Sequence, residues 1–218
     1  MDLFAFLYKV SIWAIPLLFA ITLHEVAHGW MARYFGDRTA EMLGRLSLNP
    51  LRHIDPIGTV LVPGFLLAVG GLSFGWAKPV PVATSALRHP RRAMVVVALA
   101  GPAANLLMAV LWCAVLGAIL RISGNQTLGR WITLMAQAGI LSNVVLALFN
   151  LLPIPPLDGG RVLTALLPPR LSVRLEKIEP VGLFIALGLS VLGLFGWLFS
   201  PALRMVGRII NALFGSPA

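Results

Sequence analysis

The feature that most constrains this chain is an apolar run that passes directly into a cluster of ionisable residues. Lys9 is the only charged residue among residues 3–23, and His24, Glu25 and His28 follow at once. A run of that length can span a bilayer, so the ionisable residues fall where lipid is expected. Ionisable groups inside a membrane are costly and are usually kept for function. The cluster is therefore the first candidate for a functional site.

The spacing of the cluster indicates metal chemistry. His24 and His28 are four positions apart, so on a helix both imidazoles lie on one face and can reach one metal ion. Glu25 lies about 100° around the helix from His24 and can act on a water molecule without being a ligand. The pattern indicates two zinc ligands and a general base. The competing interpretation is a pair of packing histidines beside a salt-bridged glutamate.

Composition places the whole chain among membrane proteins. Hydrophobic residues make up 58% of the 218 positions, and the mean hydropathy is +0.89. The net charge of +9 is confined to short segments between apolar runs. This distribution is typical of membrane topology and of contact with anionic headgroups, and it argues against nucleic-acid binding. Cys113, the single cysteine, can form no internal disulfide. No cleavable signal peptide is expected at the amino terminus.

Apolar runs and helix breakers predict an all-α polytopic membrane protein, with residues 1–218 forming a single membrane-embedded domain. About four transmembrane helices are expected, over residues 3–34, 93–120, 131–152 and 181–199. A short strand or hairpin at the membrane surface is expected over residues 39–48. Residues 57–72 are apolar but broken by Pro63-Gly64, which predicts a re-entrant segment. Residues 162–179 form an amphipathic, basic stretch, and an interfacial helix is expected over residues 201–218.

A hydrolytic zinc site needs a third protein ligand and one position left for water. The candidates are spread along the chain: Glu41, His53, Asp55, His89 and Asp158. Asp158 is favoured because it follows a membrane span, inside a proline-broken stretch that requires a protein-lined or wet environment. The glycines after it allow close approach of another backbone. Its alternative role is that of a helix N-cap.

Topology gives a consistency test for Asp158. If Asp158 meets the histidines, the span over residues 131–152 runs toward the face where the first helix ends. Residues 57–72 then enter the membrane and return on the same side. This arrangement places twelve Lys and Arg residues on the histidine face and five on the other. By the positive-inside rule, the histidine face is cytoplasmic.

Three motifs together resemble the site-2 protease family of intramembrane zinc metalloproteases. The first is the His-Glu-Val-Ala-His sequence of residues 24–28. The second is the Gly-Pro-Ala-Ala-Asn sequence of residues 101–105, and the third runs from Asn150 to the Leu-Asp-Gly-Gly sequence of residues 157–160. They occur in the family's order over most of the chain. The chain resembles a short form, without an inserted peptide-binding domain or a terminal nucleotide-sensing domain.

The resemblance implies that His24, His28 and Asp158 bind one zinc ion per chain and that Glu25 is the catalytic base. It also implies that Asn150 positions the scissile peptide or its oxyanion. The expected activity is that of a zinc-dependent metalloendopeptidase, which hydrolyses a peptide bond in or next to a transmembrane segment of a membrane-protein substrate. The expected location is the cytoplasmic membrane of a prokaryote, with the chain integral and multi-pass and the active site toward the cytoplasm.

Other assignments stay open at this point. A metal-ion transporter or a non-proteolytic metal-binding membrane scaffold would also place His and Asp residues inside spans. His53 is either a residue that orients a ligand or a solvated histidine. Asn105 is expected to serve helix packing rather than substrate contact. Residues 39–48 are expected to bind an unwound substrate by strand addition.

Overall fold

The computed structural model describes residues 3–61, 78–122 and 127–215, and helices make up most of the regular structure there. Eight α-helices follow in chain order: α1 Leu3–Tyr34, α2 Thr39–Met42, α3 Pro90–Ile122, α4 Thr127–Asn150, α5 Asp158–Leu166, α6 Pro169–Glu176, α7 Glu179–Val191 and α8 Leu194–Phe214. Short 3-10 turns at Pro50–Arg52 and Thr84–Ala86 and a π-helical turn at Pro56–Leu61 lie between α2 and α3. The expected all-helical class is confirmed for these residues.

Among the residues that the structure describes, three helices are long and apolar enough to cross a membrane, namely Leu7–Tyr34 within α1, α3 and α4. α1 has the predicted bounds, and it ends where Gly36 adopts a φ of +105°, a conformation that other residues rarely take. α3 and α4 each extend a few residues beyond the predicted amino-terminal boundary. These helices form the centre of the protein.

The three long helices pack closely because small residues occupy their contacts. Ala20, Ala93 and Ala136 are completely buried. A side chain at Gly139 of α4 would lie 2.4 Å from the Trp112 ring of α3, so only glycine permits that approach. Membrane helices associate through such close backbone contacts, since lipid provides no hydrophobic drive between them.

Cross-helix hydrogen bonds give the directions of the helices. His28 and His24 of α1 bond respectively to Val97 and Asn105 of α3, so α1 and α3 are antiparallel. Trp131 near the start of α4 donates to Ser11 near the start of α1, so these two helices are parallel. The carboxyl ends of α1 and α4 therefore lie on the same side, as the topological test requires.

The strand or hairpin expected over residues 39–48 is wrong for the described chain, where no strand is found. The Asp37 carboxylate accepts hydrogen bonds from the backbone N–H and hydroxyl of Thr39, which starts the short helix α2. After the turn at Gly44, the side chain of Arg45 donates to the Arg52 carbonyl at 2.5 Å, and Arg52 donates to the Gly44 carbonyl at 3.2 Å. Arginine side chains thus bond to backbone carbonyls that a strand partner would otherwise use.

The fourth span expected over residues 181–199 is not one continuous helix in the structure. The chain breaks after α7, where Gly193 has a φ of +74°, and α8 begins at Leu194. α7 has 13 residues and is about 20 Å long, too short for a hydrocarbon core of about 30 Å. The interfacial helix expected over residues 201–218 is, up to Phe214, the continuation of α8.

α8 packs along α3 and α4 rather than lying apart from them. Near its start, Phe199 joins a cluster with Phe149 of α4. At its end, Phe214 covers Gly117 of α3, where an added methyl group would lie 2.6 Å from the ring. Of the predicted re-entrant segment, only residues 57–61 are described, and the bend at Pro63-Gly64 lies outside the described residues.

Candidate metal centre

Two buried imidazoles from α1 form one half of the centre. His24 and His28 stand one helical turn apart, and their Nε2 atoms are 3.0 Å from each other. Gly101 of α3 lies directly behind them, since a methyl group there would be 2.4 Å from His28 Nε2 and 2.6 Å from His24 Cε1. A glycine at this position therefore makes the room that the two rings occupy.

The carboxylate of Asp158 forms the other half. Its Oδ2 lies 3.2 Å from His24 Nε2, and its Oδ1 lies 3.3 Å from His28 Nε2. Asp158 is the first residue of α5 and is as buried as the histidines. The structure thus brings the predicted third residue to the pair, although 130 positions separate it from His28 in the sequence.

A tight turn after α4 positions Asp158. Residues 151–157 fold back so closely that methyl groups on Gly159 and Gly160 would lie 2.2 Å from the Leu151 carbonyl oxygen and 2.3 Å from the Pro155 nitrogen. Leu157, just before Asp158, is buried with Phe149 and with residues of α7 and α8. Glycine is required twice because the turn and the start of α5 share the same space.

Hydrogen bonds to the far side of each ring determine where its proton lies. His28 Nδ1 is 2.7 Å from the Val97 carbonyl oxygen, and His24 Nδ1 is 2.6 Å from Asn105 Oδ1. Both partners are acceptors, so each Nδ1 carries a hydrogen and each Nε2 of the neutral ring presents a lone pair. Asp158 Oδ2 is buried and accepts no hydrogen bond. Two nitrogen lone pairs and a carboxylate therefore face one another.

This arrangement fits a divalent cation. Three converging electron-pair donors repel one another unless a positive charge lies between them. A tetrahedral zinc ion with bonds of about 2.0–2.1 Å holds its ligand atoms about 3.3–3.4 Å apart. The observed separations of 3.0, 3.2 and 3.3 Å are close to that value. Two imidazoles and one carboxylate are also a ligand set of catalytic zinc, which keeps a fourth position open.

Glu25 adjoins the cluster and is held by an extended segment, residues 78–83, which we call the proline strap. The backbone N–H of Val80 donates to Glu25 Oε2 at 2.7 Å. Pro79 and Pro81 flank Val80, which restricts the strap to an extended conformation and leaves few backbone donors along it. One oxygen of the Glu25 carboxylate is thus fixed by the strap.

Two further hydrogen bonds anchor the proline strap. Lys78 N donates to the His53 carbonyl at 3.0 Å, and Ala83 N donates to Asp37 Oδ2 at 2.6 Å. Burial would raise the pKa of the Asp37 carboxyl, but the hydrogen bonds from Thr39 and Ala83 outweigh burial and leave that pKa below its usual value. Asp37 therefore joins the end of α1, the start of α2 and the strap.

The remaining third-ligand candidates have other surroundings. His53 is buried, with Nε2 donating to the Ser47 carbonyl, while its Nδ1 has no partner. Asp55 accepts a hydrogen bond from Gly58 N, and His89 is exposed with a φ of +54°. Glu41 pairs with Arg38 and Arg33, and the hydrogen bond from Arg38 lowers the pKa of its carboxyl. Within the described chain, the cluster suited to a metal ion is that of His24, His28 and Asp158.

Asn150 ends α4, shortly before the turn that carries Asp158. Its side-chain nitrogen donates to the Leu146 carbonyl of the same helix at 3.0 Å. This bond uses one of the two hydrogens that its amide group can donate. The role of Asn150 in positioning a substrate stays a prediction.

Sequence reasoning missed Val97 and Asn143, and it assigned Asn105 to helix packing and not to a contact with His24. Val97, Gly101 and Asn105 recur every four positions, so they form one face of α3, and this face lies against the two histidines. Gly101 serves close packing as expected, but Asn105 contacts His24 directly. Asn143 of α4, which bonds to Asn105, had no signal in the sequence beyond being polar in an apolar span.

Fold and site together define a polytopic membrane protein with a buried centre of two histidines and one aspartate that is suited to a metal ion. The family model described as Peptidase family M50 matches residues 12–122 and 116–192. "Putative zinc metalloprotease YwhC" of Bacillus subtilis is 39% identical over 205 residues, which cover 93% of this chain and 90% of that relative.

Two mycobacterial relatives carry the name "Putative zinc metalloprotease Rip2". The protein of Mycolicibacterium smegmatis is 35% identical over 80% of this chain and 64% of its own length. That of Mycobacterium tuberculosis is 33% identical over 84% of this chain and 68% of its own length. No solved structure matches. The chain belongs to the M50 peptidase family, the site-2 protease family of zinc metalloproteases.

Proposed function

We propose that this chain is an intramembrane zinc metalloprotease that hydrolyses a peptide bond in or next to a transmembrane segment of another membrane protein. The observation that carries this proposal is the convergence of His24, His28 and Asp158, with separations of 3.0 to 3.3 Å between their donor atoms. The cluster adjoins a carboxylate, Glu25, in the sequence position of a general base. The three-residue set holds one zinc ion per chain.

A bound zinc ion supplies Lewis-acid polarisation of a carbonyl group and of a water molecule. Glu25 acts as the general base that takes a proton from the water and returns it to the leaving amine. The proline strap fixes one oxygen of Glu25 through Val80 N, so the proton passes to and from the other oxygen. Asn150 is the proposed donor to the substrate backbone or to the developing oxyanion.

The substrate class follows from where the centre lies. His24 and His28 are within the candidate span Leu7–Tyr34, so the centre is inside the helical bundle and not on a surface loop. A peptide bond that reaches the centre must come from a chain in or beside the bilayer, and a helical substrate must unwind locally to expose its carbonyl. The single domain of residues 1–218 contains the whole proposed machinery.

Charge distribution supports a cytoplasmic orientation of the centre. Eight Lys and Arg residues lie between Arg33 and Arg92, and four lie between Arg161 and Lys177. These segments follow the end of α1 and the end of α4, which are on the same side as the centre. The named relatives are bacterial, so the proposed location is the cytoplasmic membrane of a bacterium.

The test compares the wild type with Glu25→Gln and a matched control, Glu41→Gln, whose glutamate lies in an exposed ion-pair cluster. Each protein is purified in detergent, its bound zinc is measured, and cleavage of a panel of membrane-spanning test substrates is assayed. Protease function predicts that E25Q keeps its zinc and loses cleavage while E41Q keeps both. Equal cleavage by the wild type and E25Q rejects the function, as does a wild type that binds zinc but cleaves no substrate of the panel.

A further inference from the structure

Two buried asparagines from different helices form a continuous chain of hydrogen bonds that ends on His24. Asn105 Oδ1 accepts from His24 Nδ1 at 2.6 Å, and Asn105 Nδ2 donates to Asn143 Oδ1 at 3.0 Å. Asn143 Nδ2 then donates to the Gly139 carbonyl at 2.8 Å. Asn105 Nδ2 also donates to the Ala20 carbonyl at 3.1 Å. We call this set the asparagine relay.

We infer that the asparagine relay is a positioning device that fixes the His24 tautomer, so that Nε2 presents its lone pair to the metal. This inference rests on the proposed zinc centre. Asn105 and Asn143 act through His24 and are not themselves ligands. Both have no exposed surface, so their polar groups depend entirely on one another, on His24 and on the backbone.

The two backbone carbonyls give the relay its direction. The carbonyl oxygens of Ala20 and Gly139 can only accept hydrogen bonds, so the Nδ2 atoms of Asn105 and Asn143 must face them. If either amide group rotated by half a turn, its oxygen would meet a carbonyl oxygen in a buried site, where an unpaired acceptor costs about 1–3 kcal/mol. Asn105 Oδ1 is therefore held toward His24 and requires a hydrogen on Nδ1.

His28 reaches the same tautomer by a shorter route. Its Nδ1 bonds directly to the carbonyl oxygen of Val97, which has no alternative orientation. At His24 the acceptor is an asparagine side chain, whose amide group has two orientations and needs the support of Asn143 and Ala20. The asparagine relay thus keeps Asn105 Oδ1 directed at His24, as the Val97 carbonyl oxygen is directed at His28.

The test uses Asn105→Leu, which removes the acceptor, and Asn105→Ser, whose hydroxyl can accept from His24 Nδ1 and donate to Asn143 Oδ1 or to the Ala20 carbonyl. The matched control is Ser142→Ala, since Ser142 is buried beside Asn143 but its hydroxyl bonds within its own helix. We expect N105L to lower zinc affinity about 10- to 100-fold, the usual cost of losing a partner behind a histidine ligand, N105S to lower it less, and S142A to stay close to the wild type. Zinc affinity is measured by competition with a chelator.

A second measurement needs neither cleavage nor a variant. NMR of isotopically labelled imidazole nitrogens in the zinc-loaded wild type reports which nitrogen of His24 keeps its hydrogen. The inference requires the hydrogen on Nδ1 and the metal on Nε2. A hydrogen on Nε2, or N105L binding zinc as tightly as the wild type, overturns the asparagine relay. A loss of zinc affinity in N105S equal to that in N105L would likewise overturn it, because packing alone would then explain the loss. None of these readouts depends on protease activity.

Discussion

The two halves of the metal centre are held by different physical means. The imidazoles belong to a regular helix, and directed hydrogen bonds to α3 orient them. Asp158 lies at the end of an irregular turn, and close backbone contact and apolar packing around Phe149 and Leu157 position it. The hydrogen bonds therefore set the orientation of the two imidazole rings. The packing of the turn sets the distance between these rings and the Asp158 carboxylate.

This difference predicts which substitutions separate the two halves. A change behind the imidazoles alters their angle but leaves the fold in place. A change in the turn moves the Asp158 carboxylate away from both histidines at once. Four substitutions act on one of the two halves, on the proposed base Glu25, or on the Asp37 anchor of the proline strap.

The largest effect is expected for Gly159→Ala. Its methyl group would lie 2.2 Å from the Leu151 carbonyl oxygen and 2.5 Å from that of Leu152, so the backbone of the turn must move. We expect zinc affinity to fall by more than about 100-fold, beyond the range for a lost supporting partner. The control is Gly188→Ala, because no atom lies within 4 Å of its added methyl group. Wild-type zinc content in G159A would contradict the proposed role of the turn.

Gly101→Ala tests the histidine half. The added methyl group meets imidazole atoms rather than backbone, so the rings can tilt while α3 stays intact. We expect a loss of zinc affinity of about 10- to 100-fold, with the thermal unfolding temperature of the metal-free protein unchanged or higher, since alanine favours a helix over glycine. Calorimetry and chelator competition on the same sample measure both. A drop in metal-free stability would show that Gly101 serves the fold alone.

Val80→Pro removes the backbone hydrogen that fixes Glu25. The strap is already extended and proline-rich, so the substitution deletes the donor with little change of conformation. We expect kcat to fall about tenfold or more, a fraction of the ~10²–10⁴ that a general base contributes, with zinc content unchanged. Val82→Pro, two positions along the same strap, is the control. If V80P and V82P had the same kcat, the hydrogen bond from the proline strap to Glu25 would have no role in the reaction.

The smallest effect concerns pH and Asp37. Because the pKa of this carboxyl is lower in the folded protein than in the unfolded chain, its stabilisation is complete above the unfolded pKa of about 3.9 and is lost as pH falls through the lower folded pKa. In Asp37→Asn, the amide nitrogen faces Ala83 N or Thr39 N, and both of these are donors. We therefore expect a lower unfolding temperature at neutral pH and a smaller decrease of that temperature between neutral and acidic pH. Thermal unfolding in detergent from neutral to acidic pH measures this. If the unfolding temperature of D37N decreased in acid as much as that of the wild type, the lowered pKa of Asp37 would not contribute to the stability.

Features with a local signal could be predicted from the sequence. α1 was bounded correctly because Gly36 ends an unbroken apolar stretch, and the histidine pair follows from helical spacing alone. Asp158 was favoured because a proline-broken stretch after a span needs a protein-lined environment. In each case the physical cause lies within a few residues of the feature.

Features that depend on individual side-chain contacts or on a single backbone conformation could not be predicted. The strand expected over residues 39–48 was wrong because Asp37 starts a helix there, and the arginine contacts join residues 7 and 8 positions apart. The break at Gly193 has no proline to mark it. Asn143 bonds to a residue 38 positions away, and nothing near it in the sequence indicates that partner.

The most direct test of the zinc centre is X-ray absorption at the zinc edge, combined with metal content, for the purified wild type and Asp158→Ala. We expect one zinc ion per chain in the wild type, coordinated by two imidazole nitrogens and by oxygen. In D158A, the zinc should be lost or should lack the carboxylate oxygen. An identical spectrum and an identical zinc content in the two proteins would show that Asp158 does not bind the ion, and the proposed centre would be wrong.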